Sequence, residues 1–87
     1  MKMIIAILRD QDLEAVTQAL TAADFRVTRI ASTGGLLRRG VATLLAGVED
    51  ERVEAAIQVV RENVAPVGEG EKRATIFVVP VDKFMQV

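Results

Sequence analysis

The sequence predicts an α+β domain with elements in the order β-α-β-β-α-β. Three observations carry that prediction. Four short runs are dense in β-branched and large aliphatic residues. Two longer stretches repeat apolar residues at helical spacing. Glycine, proline and acidic residues fall between these runs, where chains turn or helices begin.

The first strand is KMIIAIL, Lys2 to Leu8. Asp10 or Asp12 is placed to cap a helix running from about Leu13 to Ala23, whose stripe is Leu13, Val16 and Leu20. Phe25 to Thr33 reads as a second strand and Val41 to Val48 as a third. Glu49, Asp50 and Glu51 put negative charge at the start of the next helix, about Asp50 to Asn63. Its apolar stripe is Val53, Ala56, Ile57 and Val60. The connector VAPVGEGEK holds Pro66, Gly68 and Gly70, and Arg73 to Val79 forms the last strand, closed by Pro80. This order is the split βαβ of ferredoxin-like folds. Right-handed crossovers then put both helices on one face of a four-stranded antiparallel sheet. Residues 1–87 are accordingly expected to form one domain.

The strands carry more grease than such a sheet needs. A sheet with one wet face alternates apolar and polar residues. IIAIL, VATLLAGV and ATIFVV are apolar on both faces, whereas each helix has a polar side, Glu14, Gln18 and Thr21 on one and Glu54, Gln58 and Arg61 on the other. Four strands at about 4.8 Å spacing make a sheet about 19 Å wide. Two helices of about 10 Å diameter cover one such face. The other face needs a cover this stretch of chain does not supply, and self-association through the sheet is expected. Exposure of that face would forfeit about 1.5–3 kcal/mol for each large aliphatic side chain.

Composition narrows the function. The formal charge is −1, with three Phe and neither Trp nor Tyr, which is unlike a nucleic-acid-binding surface. There is no Cys, in keeping with a cytoplasmic protein, and the apolar run near the amino terminus is too short for a signal peptide or a membrane span. With no His, no Cys and Ser32 as its only serine, the chain lacks the usual general bases and nucleophiles. No metal-ligand or Walker pattern occurs. The sequence therefore predicts no catalytic residue, metal or cofactor, and a binding role. On the second strand Arg26 and Thr28 share a face. In the following STGGLLRRG segment, Gly34 and Gly35 let a backbone approach a ligand, and Arg38 and Arg39 offer donors suited to phosphate.

Taken together, MKMIIAI, the D-Q-D helix start, DFRVTRIASTGGLLRRG, GVEDERV and ATIFVVPVDKF resemble the PII-like cyclic di-AMP receptor family. The likeness runs without gaps to about Asn63 and resumes at Arg73. It implies a ferredoxin-like subunit, a homotrimer made by packing sheets together, and sites for cyclic di-AMP or a related adenine nucleotide at subunit clefts. By position it assigns polar contacts to Arg26 and Thr28, loop contacts to Gly35 and Leu37, and further contacts to Gly47, Phe77 and Gln86. Leu36, Leu37 and Phe77 would give a purine apolar surface, and Gln86 would read a base edge.

The chain departs from the family pattern in places. Asp24 stands where an asparagine is usual before the Phe–Arg pair, Val41 where an asparagine is usual on the third strand, and Leu36 where the loop usually has phenylalanine. An ionised Asp24 near a phosphate would repel it. The connector VAPVGEGEK is far shorter than the family's long loop. The resemblance therefore admits an alternative, a PII-like trimer that has lost this ligand and acts through protein contacts of residues 32–40. An enzyme using Asp24 as a base on a phosphate ester is the least favoured of the three.

Overall fold

The computed structural model describes residues 1–30, 40–66, 68 and 70–87. The elements are β1 (Lys2–Arg9), α1 (Asp10–Ala22), β2 (Arg26–Ile30), β3 (Val41–Val48), a 3-10 turn (Asp50–Arg52), α2 (Val53–Asn63) and β4 (Ala74–Pro80). The strands form one antiparallel sheet in the order β2-β3-β1-β4. This is the expected ferredoxin-like topology. No helix of the described residues is long and apolar enough to cross a membrane.

Register divides the sheet into two faces. Ile4, Ala6 and Leu8 of β1 lie with Leu44, Ala46 and Val48 of β3 on one face, and all are buried. Val16 and Leu20 of α1 and Ala56 and Val60 of α2 close over them, with Phe25 and Val64 at the margins. The opposite face carries Met3, Ile5 and Ile7 beside Leu45 and Val79, all only partly buried, and Phe77, which is 51% exposed. The excess of apolar strand residues thus has a location: a face that no helix among the described residues covers.

The helix starts differ from expectation. Neither Asp10 nor Asp12 caps α1; the capping position is Arg9, which makes no side-chain capping bond. Asp12 is instead 4% exposed. Its carboxylate accepts from Arg9 Nε at 3.0 Å and from the Ala65 N–H at 3.1 Å, while Arg9 also donates to the Ala65 carbonyl. A buried charge needs such partners. Here they tie the end of β1 and the start of α1 to the chain leaving α2. The second helix likewise begins later than expected, because Asp50–Arg52 form a 3-10 turn.

At the other end of α1, Asp24 adopts φ 69°, the left-handed region. The Phe25 N–H bonds the Leu20 carbonyl at 2.9 Å and the Asp24 N–H bonds the Thr21 carbonyl at 3.0 Å. Those two bonds define a Schellman cap, and the accompanying apolar contact is supplied by Phe25 and Leu20, both in the core. Asparagine and aspartate are the non-glycine residues that best tolerate this backbone. The asparagine-to-aspartate difference at position 24 is therefore a backbone matter. Gly40, at φ 80°, accepts the Asp10 N–H at 2.8 Å and fixes where the chain re-enters β3.

Three substitutions test these ends. Asp24→Gly should raise the unfolding free energy by about 0.5–1 kcal/mol, because glycine adopts the left-handed region without steric cost. Asp12→Ala should lower it by about 2–3 kcal/mol through loss of charge-assisted bonds. Asp10→Ala, an exposed first-turn acid, should cost less than about 1 kcal/mol. Urea titrations compare all three; equal losses at positions 10 and 12 would show that Asp12 acts only through the helix dipole.

Candidate functional site

The uncovered face holds a groove of about 860 Å³. Its floor is set by one row of the sheet, in which Arg26 of β2, Gly47 of β3 and Met3 of β1 lie side by side. In the next row Thr28 lies beside Leu45. Its far wall is the segment after β4, where Phe84 and Gln86 line the same space. Three strand spacings separate β4 from β2, about 14 Å. Seven residues follow Pro80, enough to span that distance. The Val81 N–H bonds the Met1 carbonyl at 3.1 Å and anchors the start of this tail beside β1.

The chemistry of the groove is mixed. Arg26 is exposed and makes no ion pair among the described residues, so its guanidinium is available to an anion. Arg29, one residue on past Thr28, points to the helix side and pairs with Glu14 at 3.0 Å. Alternation along β2 therefore gives one arginine to the fold and the other to the groove. Lys83 and Asp82 also line it. The Met1 amine at its mouth lies 3.0 Å from Asp50, and that hydrogen bond and charge hold the Asp50 carboxyl below the ordinary aspartate value. Met3, Leu45 and the Phe84 ring provide apolar surface, and Phe84 is 63% exposed.

Of the residues expected from sequence, Arg26, Thr28, Gly47 and Gln86 meet in this groove. Phe77 does not. It lies on the same face opposite Ile5, in the row Thr28–Leu45–Ile5–Phe77, three strands from Thr28. Gly35, Leu36 and Leu37 lie outside the described residues, as do Arg38, Arg39 and most of the 32–40 segment. Asp24 and Val41 do not line the groove. Sequence reasoning missed Met1, Met3, Leu45, Lys83 and Phe84. Met3 and Leu45 were legible as the strand neighbours of Gly47 and Thr28. The tail residues had no periodic signal to place them.

Gly47 leaves room at the centre of the floor. A Cβ built there meets nothing within 4 Å, and its backbone is not in the left-handed region. Gly47→Val should therefore fold with stability within about 1 kcal/mol of the parent while filling the groove. Thermal unfolding checks this; a collapse of the fold would mean that Gly47 serves the backbone and not the groove.

Comparison with known proteins comes to bear on this geometry. A family model described as "Cyclic-di-AMP receptor" matches residues 1–68. Arg26, Thr28 and Gly47 fall inside the match; β4 and the tail, with Phe77 and Gln86, fall beyond it. Among solved structures, one of a functionally unknown protein from Pediococcus pentosaceus superposes with a TM-score of 0.77 and 27% identity. The alignment covers 99% of this chain and 96% of that one.

Proposed function

The chain belongs to the cyclic-di-AMP receptor family, and we propose that it is a PII-like signalling protein that binds cyclic di-AMP or a related adenine nucleotide in the groove of its uncovered face. The observation that carries this reading is the convergence of Arg26, Thr28, Gly47 and Gln86 on one space, although they come from β2, β3 and the tail.

Each residue has a role that its chemistry supports. Arg26 and Lys83 face phosphate, and the Thr28 hydroxyl offers a donor or an acceptor. Gln86 can match the donor and acceptor of an adenine edge. Met3 and Leu45 give a base an apolar floor on which Gly47 leaves space. Phe84 supplies a stacking ring in a chain whose loop has Leu36 where phenylalanine is usual. A volume of about 860 Å³ lies in the range of small-molecule pockets. Asp24 lies outside the groove lining, and the carboxylate within it is Asp82, beside Lys83.

The same face supports a homotrimer. Sister chains packing on Met3, Ile5, Ile7 and Val79 would bury the side chains that the helices leave exposed and would turn each open groove into a cleft between subunits. Phe77 sits at the opposite edge of that face, where it serves a neighbouring copy's site rather than its own. Signal output then rests on residues 31–39 and on the short connector, whose start at Ala65 is held by Arg9 and Asp12.

Isothermal calorimetry with cyclic di-AMP, cyclic di-GMP, ATP and AMP tests the site. The adenine dinucleotide should bind most tightly. Arg26→Ala should weaken binding about ten- to hundredfold, from the loss of a charge-assisted bond worth about 1.5–3 kcal/mol. Phe84→Ala should weaken it about tenfold through lost stacking. An Arg26→Ala protein that binds as tightly as the parent would place the site elsewhere.

A further inference from the structure

The opposite side of the sheet carries a second groove, between α2 and β4, of about 490 Å³. Its floor is apolar: Ile57, Val60 and Val64 on one side, Ala74 and Ile76 of β4 on the other. Its rim is basic. Arg61, Lys72 and Arg73 surround it, and none of the three is paired with a carboxylate among the described residues. Glu71 also lines it, but its carboxylate is folded back against Gly68, where an added Cβ would lie 2.9 Å from Oε1.

Beside this groove runs a sheet edge to which no strand is paired among the described residues. The order β2-β3-β1-β4 leaves β2 and β4 as the outer strands. Edge strands are commonly protected by charges or proline within the strand. The β2 edge obeys this rule, with Arg26 and Arg29 among its five residues. The β4 edge, ATIFVVP, has no charged residue and a proline only at its end. Val78, on the helix-facing side opposite Ile4, is 40% exposed.

We propose that this edge and groove take an extended acidic segment of another protein as a fifth strand. Main-chain bonds to β4 supply affinity, as in other strand-addition complexes. Alternate side chains of the added strand enter the apolar groove, and carboxylates at the end of the strand lying beside the start of β4 meet Arg61, Lys72 and Arg73. The surface is separate from the nucleotide groove, on the other face of the sheet, and does not depend on nucleotide binding.

The test uses the full chain and a fluorescein-labelled peptide with seven residues of alternating valine and threonine, matched to β4, and two glutamates at each end. Fluorescence anisotropy should show binding that weakens with salt. Hydrogen exchange of the outward-facing β4 amides should slow when the peptide is added. Lys72→Glu combined with Arg73→Glu, and separately Arg61→Glu on the exposed helix surface, should each weaken binding, the double change by about tenfold or more. Three results would overturn the proposal: no binding by a correctly folded parent, equal binding of a peptide with glutamine in place of each glutamate, or β4 amides already protected by self-association without peptide.

Discussion

Two helices can cover only one face of a four-stranded sheet, and this chain spends apolar residues on both. That mismatch organises the molecule. The helix-covered face is an ordinary core, with Ile4, Leu8, Leu44, Val16 and Val60 almost fully withdrawn from water. The other face is equally aliphatic down its middle and is left to something else. Because β1 and β3 are central strands, the uncovered apolar residues run through the middle of the sheet. Polar residues suited to a ligand, Arg26 and Thr28, sit at its β2 edge.

The local devices that hold the elements serve this arrangement. The Schellman cap at Asp24 turns the chain from α1 into β2 so that Phe25 enters the core and Arg26 emerges on the open face. Arg52 lies over the Phe25 ring, 4.1 Å from its centre, and donates to the Ala23 carbonyl, which locks that turn to the start of α2. At the opposite end, buried Asp12 joins β1, α1 and the connector. The connector leaves the fold at this clamp, at Ala65.

The fold was largely legible because periodicity reports burial. The third strand was placed residue for residue, since VATLLAGV is bounded by Gly40 and Glu49. Errors clustered at helix starts. Acidic residues before an apolar stripe look alike whether they cap a helix, sit in its first turn or reach a distant backbone, and only tertiary structure revealed that Asp12 reaches Ala65. The left-handed backbone at Asp24 was equally invisible, which is why its carboxylate invited a ligand argument. In the candidate site, alternation along β2 separated Arg26 from Arg29, and the family resemblance named Gly47 and Gln86. The tail that carries Phe84 and Lys83 across the face has no repeating pattern, so its path came from the structure alone.

The account stands on sister chains closing over the uncovered face, and the mass of the native particle tests that most directly. Sedimentation equilibrium at micromolar concentration should return three times the 9.4 kDa chain mass, about 28 kDa. A stable 9.4 kDa species under the same conditions would contradict it, since the face would then be shown to tolerate water and the shared clefts would not exist.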